Sequence, residues 1–205
     1  MGLPFMLQTW ARAGIRLIDY FVRRSLGVVE FTSDPDCILR IGPARAAQAR
    51  TLSDGTAIRP GDLLCEIHLW NERLPKMGPD GPDLHWGLAM YRGMVRSLEL
   101  LARFLQTSAE YADAVAVHAE GAAMRGPEAD QVQRLFARLG FDTAPRHAVT
   151  RRERFVRWWQ NLYSTWLIWT FNPASLKGKR MSGLTHCEFW ISRRAFMERY
   201  GRGGG

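Results

Sequence analysis

The stretch that decides the fold is Leu52–Pro75, LSDGTAIRPGDLLCEIHLWNERLP. It reads as a turn, a short approach, a strand and a polar strand end. Asp54-Gly55 and Pro60-Gly61-Asp62 are turn sequences, because Gly accepts positive φ and Pro fixes its own. From Leu63 to Trp70 the side chains alternate. Leu63, Cys65, Ile67 and Leu69 therefore share one face of a strand, and Leu64, Glu66, His68 and Trp70 share the other. The first face suits a core. The second carries a carboxylate and an imidazole pointing the same way, and Asn71, Glu72 and Arg73 crowd the strand's end. This is the densest polar grouping in the chain.

Working outward toward the N-terminus, Phe5, Trp10, Ile15, Leu17, Ile18, Phe21 and Val22 recur at helical spacing, with Arg12, Arg16, Arg23 and Arg24 between them. They predict an amphipathic helix over residues 5–25. It either docks on the domain or lies at an interface with Trp10 and the arginines at headgroup level. Gly27 ends it. Val28–Thr32 and Cys37–Ile41 read as two strands of a hairpin around Ser33-Asp34-Pro35-Asp36, and Pro43 to Arg50 as a loop or short turn.

In the other direction, Leu74–Asp83 holds three prolines and two glycines and is a loop. Leu84–Ser108 is the longest helical pattern, with Trp86, Met90, Met94, Leu98, Leu101 and Leu105 on one stripe suited to core packing. Ala112–His118 reads as a strand and Gly121–Pro127 as a loop. Glu128–Leu139 reads as a helix whose acidic first turn suits its dipole. Gly140 caps it and Phe141–Ala144 begins a strand. A unit of this kind predicts parallel pairing with the helix across one face. His186–Ser192 and Arg193–Tyr200 return a strand and a helix, and residues 201–205 form a disordered tail. The expected fold is α+β, or mixed α/β: one domain over residues 1–200, with a small central sheet flanked by helices.

A second informative stretch is Arg151–Arg180, RRERFVRWWQNLYSTWLIWTFNPASLKGKR, which holds half of the eight tryptophans. On a helix, Phe155, Trp159, Leu162, Trp166 and Trp169 make an aromatic stripe, and Trp158 lies beside it. Gln160, Asn161, Ser164 and Thr165 make the run too polar to span a bilayer, which needs about 20 mostly apolar residues. Two readings stay open. The rings cover the sheet as core, or Trp158, Trp159, Trp166 and Trp169, with Arg154 and Arg157, touch a membrane interface where ring and headgroup share a depth. No nucleic-acid motif supports base stacking here.

The composition narrows the partners. At 205 residues, 46% hydrophobic and 23% charged, the chain can bury a core. Its 28 Lys+Arg against 20 Asp+Glu give +8, which suits anionic lipid headgroups, nucleic acid or acidic polymers without choosing among them. The expected partner is an anionic membrane surface or a membrane-bound envelope enzyme, with no nucleic acid. Three scattered cysteines, Cys37, Cys65 and Cys187, fit neither a disulfide framework nor a zinc site, and fit a reducing compartment. Arg12, Arg16 and Asp19 interrupt any leader-like apolar run, so a cytoplasmic protein is expected, at most peripheral at the inner face of the membrane.

His68 with Glu66 and Asn71 has the residue types of a base, an acid and an orienting amide. The same residues with Glu72 and Arg73 could instead form a ligand-binding cluster, or a network pinning the next loop with Arg73 paired to Glu66 or Glu72. His118, at the end of the next predicted strand, could meet His68 at a sheet edge. There is no HExxH or HxH spacing for a metal, and no GxSxG, Walker or GxGxxG motif. Met124-Arg125-Gly126-Pro127 before a helix resembles the coenzyme A loop of N-acetyltransferases only in part, since the full Arg/Gln-x-x-Gly-x-Gly/Ala pattern is missing. No cofactor is expected.

The DGT…GD…IHLxNxRL spacing, with DPDCILRI at 34–41, LGF at 139–141 and MERYG at 197–201, resembles the YkoP-like bacterial family over nearly the whole chain. That resemblance implies a setting near polysaccharide deacetylases and glycosyltransferases, in envelope polysaccharide or glycolipid metabolism. It implies no mechanism. The expectation is an accessory or binding protein at a membrane surface, taking a sugar or lipid-linked ligand near the IHLWNER strand end. The alternatives are a transferase or hydrolase using His68 as general base, or a structural module whose aromatic helix docks a protein.

Overall fold

The computed structural model describes residues 5–78, 81, 83–124, 127–145, 158–159, 161–163, 165–167, 170–171 and 184–202. Its strands are β1 (Leu39–Arg45), β2 (Arg50–Thr51), β3 (Ala57–Ile58), β4 (Leu63–Leu69), β5 (Ala116–Met124), β6 (Asp142–Pro145) and β7 (Leu184–Ser192). Its helices are α1 (Phe5–Ser25), α2 (Leu84–Thr107), α3 (Pro127–Arg138) and α4 (Arg193–Tyr200). The described positions between 158 and 171 are helical as well.

Five strands form a mixed sheet in the order β1-β4-β5-β7-β6, and β2 and β3 form a separate hairpin. β4 lies inside the sheet, antiparallel to β1 and parallel to β5. The β4–β5 connection runs through α2, the crossover that a parallel pair requires. The fold is α+β, as the alternation of elements predicts.

β4's inward face is the core face. Cys65 and Ile67 join Val117 and Ala119 of β5 and Phe189 and Ile191 of β7 beneath Leu98, Leu101 and Leu105 of α2, with Phe196 and Tyr200 of α4 in the same cluster. Phe136 of α3 stacks on Phe189 at 3.8 Å between ring centroids. Each such side chain contributes about 1.5–3 kcal/mol on full burial, so this face holds most of the stabilisation. The ends of the helices are fixed locally. Asp83 caps α2 by accepting from the Trp86 N–H, and Ser192 caps α4 by accepting from that of Ala195. Gly27, at φ 67°, ends α1 in a turn closed by the Val28 N–H donating to the Arg23 carbonyl at 2.9 Å.

Four expectations are corrected. Val28–Thr32 is not a strand. Val29 makes a single bridge to Ile41, after which Glu30 turns to pair with Arg40. β1 instead begins at Leu39 and runs on through Pro43, which the loop reading of 43–50 missed. An edge strand tolerates Pro because no partner on its outer side needs the missing N–H. β5 also starts and ends later than the sequence suggests, at Ala116 and Met124. Gly121, read as a loop residue, is paired with Cys187 inside the sheet. Finally, β5 and β6 are not neighbours. α3 carries the chain across the core face, and β7 inserts between the two strands, antiparallel to both.

Candidate functional site

β4's second face builds the site. Parallel pairing sets His118 of β5 level with Glu66, and strand alternation puts Glu66, His68, His118 and Glu120 on the same side of the sheet. The Glu66 carboxylate lies between two imidazoles, Oε1 3.6 Å from His118 Nδ1 and Oε2 3.8 Å from His68 Nε2. These are electrostatic contacts, longer than a hydrogen bond. The meeting of His68 and His118 expected at a sheet edge occurs in the interior of the sheet, across Glu66.

Beyond His118 lies Trp190 of β7, its ring centroid 4.2 Å from the imidazole. Both ring nitrogens of His118 and the indole Nε1 of Trp190 are buried without a hydrogen-bond partner. Arg50 of β2 packs over Trp190 and pairs with Glu188 at 3.0 Å. The β2–β3 hairpin thus closes one end of this face, with Leu52 and Ile58 packed near Leu64, Ala116 and Trp190. At the other side, Leu26 and Val28, just past α1, lie against Gly42 of β1, next to the His68 ring.

The electrostatics set the protonation states. Burial works to raise the Glu66 pKa, but the facing His118 and His68 more than offset it and hold the carboxyl below its ordinary value. Burial lowers that of His68, with the like charge of His118 adding to the effect and Glu66 opposing it. At neutral pH the site is an ionised carboxylate beside a neutral His68 imidazole whose side chain is 32% exposed. Such a site accepts hydrogen bonds from hydroxyl or amine groups. A phosphate would meet the charge of Glu66 and, nearby, of Glu120.

The structure separates the predicted ligand residues into two groups. Glu66 and His68 are together on the outward face, both half-buried. Asn71 is half-buried in the turn beyond β4. Glu72 pairs with Arg40 at 3.2 Å and Arg23 at 3.6 Å, tying the strand end to α1. Arg73 does pin a loop, but not through Glu66 or Glu72. Its guanidinium donates to the Asp34 carbonyl at 2.6 Å and packs over Trp70. Cys65, on the core face, is a buried thiol pushed up to about 12 by its burial, and so unreactive.

The DGT turn serves structure. Asp54 accepts from Ser192 Oγ at 2.6 Å, from Thr56 N–H at 2.9 Å and from Arg194 at 3.1 Å, clamping the hairpin onto the start of α4. These contacts, the Ser192 hydroxyl first, hold its carboxyl well below the usual carboxylate range despite partial burial. Glu120 and Trp190 were not singled out from the sequence. The alternation Ala116-His118-Glu120 was readable, but only once the strand is taken past His118.

Of the expected membrane residues, Trp158 and Trp159 are exposed, and Trp166 is half-buried with its ring edge against Trp159. Trp169, Arg154 and Arg157 lie outside the described residues, as do Arg125 and Gly126 of the partial coenzyme A motif. Among the described residues no helix is long and apolar enough to cross a membrane. Nor is any group of three or more His, Cys, Asp or Glu arranged there to hold a metal ion.

No curated protein and no solved structure matches the chain. Residues 16–200 match the YkoP domain, a span that includes the sheet, the hairpin clamp and every residue of the polar face. The chain belongs to the YkoP domain family.

Proposed function

We propose that this protein binds a hydroxyl-bearing, sugar-type ligand on the polar face of its sheet. It would act as an accessory or binding protein at the inner surface of a membrane, in envelope polysaccharide or glycolipid metabolism. The observation that carries the ligand reading is His118, buried with Nδ1 facing the Glu66 carboxylate at 3.6 Å, longer than a hydrogen bond, and with no hydrogen-bond partner at Nε2. A buried polar group left unpaired costs about 1–3 kcal/mol, a cost that the hydroxyls of a ligand offset. An ionised carboxylate and a neutral imidazole accept those hydroxyl protons, and the local negative charge selects against phosphate. The exposed Trp158 and Trp159 and the net charge of +8 support the membrane part.

The test is the melting temperature in neutral hexoses and N-acetylhexosamines, with inorganic phosphate as the contrast. Ligand at a hundredfold its Kd stabilises by about 2.7 kcal/mol. A saturable rise with sugar is expected, absent with phosphate and absent in Glu66→Gln and His118→Gln. No saturable rise with any sugar, or the same rise in both variants, overturns the ligand reading.

A second reading has its own support. His68 lies on the face away from α2, partly exposed, neutral and next to a carboxylate, which is the arrangement of a general base in a transferase or hydrolase. It predicts turnover of a glycosyl or acyl donor that His68→Gln loses while keeping the ligand-induced rise in melting temperature.

A further inference from the structure

α1 presents the wrong face to the protein. Its only acidic residue, Asp19, is 3% exposed. Asp19 accepts from Arg23 Nε at 2.8 Å and from the Tyr163 hydroxyl at 2.6 Å. Arg23 also reaches Glu72, at 3.6 Å. Among its described side chains the helix is tied to the protein by these ionic and polar contacts, with Ile15 and Val22 half-buried beside them. Meanwhile Trp10 is 73%, Leu17 58% and Phe21 58% exposed. At about 100° per residue these three side chains fall within about 40° of one another, and Asp19 falls on the opposite side. A helix docked on a globular core does the reverse, burying its apolar stripe. Leu26 and Val29, both exposed, extend the apolar surface past the helix end.

We propose that α1 lies in the plane of an anionic bilayer, with Trp10, Leu17 and Phe21 inserted at the headgroup–acyl boundary. This rests on the membrane-surface reading above and names the contact that makes it. The charge pattern selects lipid. Among the described residues the exposed charge beside the stripe is Arg24, Arg16 is exposed on the flank nearer Asp19, and the one carboxylate of the helix is withdrawn to its protein side. A second element reinforces it. The segment carrying the exposed Trp158 and Trp159 touches α1 through Tyr163 on Asp19 and through Phe171 under Arg16, 5.4 Å from the ring centroid. The end of α1 also borders the sugar site, since Val28 and the His68 ring both lie against Gly42. Docking through α1 brings that site toward the headgroup layer, where the sugar of a lipid-linked glycoconjugate would be found.

The experiment is flotation of the full chain with phosphatidylcholine vesicles, with and without phosphatidylglycerol, at low and high salt. It is repeated for the double variants Leu17→Ser/Phe21→Ser and Trp158→Ser/Trp159→Ser. All four positions are exposed, so unchanged melting temperatures are expected. The proposal predicts binding to the anionic vesicles that salt weakens, and a loss of about tenfold or more in the α1 variant. If the wild type binds and the α1 variant binds equally well, α1 is not the contact, although the membrane reading stands. If the wild type binds no vesicle, both fall. Sedimentation velocity without lipid covers the remaining occupant. A dimer that the α1 variant dissolves makes the stripe a self-association face and overturns the proposal.

Discussion

The two faces of β4 come from one alternating run of residues and do opposite work. Cys65 and Ile67 face inward, under α2, in a cluster closed by Phe189 and Phe196. Glu66 and His68 face outward, beside His118. Helices can seal the first face because nothing on it needs water. Covering the second leaves polar groups short of partners, a cost already visible at the buried His118. That face is bordered instead by the β2–β3 hairpin and the end of α1. Apolar packing and the polar cluster thus lie on opposite sides of a single sheet, so substitutions should separate stability from the proposed ligand chemistry.

The largest separation is expected at β7. Phe189 is fully buried and stacked on Phe136, and Phe189→Ala should cost about 3–5 kcal/mol in urea denaturation. Glu66→Gln, on the other face, should cost less than about 1 kcal/mol, because both of its contacts are longer than a hydrogen bond and the one to His68 is partly exposed. Comparable losses for the two would break the comparison.

A smaller effect sharpens it from the core side. A Cβ at Gly121 would stand 3.0 Å from Phe189 Cε2, so Gly121→Ala must displace that ring. We expect a cost of about 1–3 kcal/mol, partly relieved in a Gly121→Ala/Phe189→Leu double variant. Additive costs in the double variant would mean that the ring is not what the methyl meets.

Next is the clamp that borders the polar face. Asp54→Asn should cost about 1–2 kcal/mol through weakened bonds to Ser192, Thr56 and Arg194. Hydrogen exchange should rise first in the β2–β3 hairpin. Because the folded Asp54 pKa is depressed, its contribution is present above the ordinary value of 3.8 and is lost as pH falls below it. Asp54→Asn should therefore flatten the acid limb of the stability curve.

The smallest effect belongs to His68. Its folded pKa is below the ordinary 6.5, so the unfolded chain binds the proton first, and stability falls as pH drops below 6.5 toward the folded value. His68→Gln should remove that part of the decline. An unchanged pH profile would place the proton uptake elsewhere.

How much of this was legible depended on whether local pattern decided the outcome. The alternation from Leu63 to Trp70 put Cys65 and Ile67 in the core and Glu66 and His68 together on the other face, but burial does not follow the period throughout, since Leu69 is exposed and Leu64 and Trp70 are buried. The α2 stripe of Met94, Leu98, Leu101 and Leu105 was equally plain, and all four are buried. What failed was pairing. That β7 inserts between β5 and β6 is a long-range choice that neither strand encodes. Pro43 hid the continuation of β1, since whether a strand lies at an edge cannot be read locally. In the candidate site, Glu66 and His68 could be found because they share a strand. Trp190 comes from a strand more than a hundred residues later, and only the register of β5 against β7 brings it beside His118. Arg73 was drawn to the nearest acid in sequence, whereas the structure offers it main-chain carbonyls from the Asp34 turn.

Imidazole NMR of the full chain, titrated with N-acetylhexosamine and hexose, reports whether the outward face of β4 holds a sugar-type ligand. Saturable shifts of the His68 and His118 ring signals are expected, lost in Glu66→Gln and not produced by inorganic phosphate. Ring signals that stay fixed through every sugar titration in the folded protein would contradict the ligand reading.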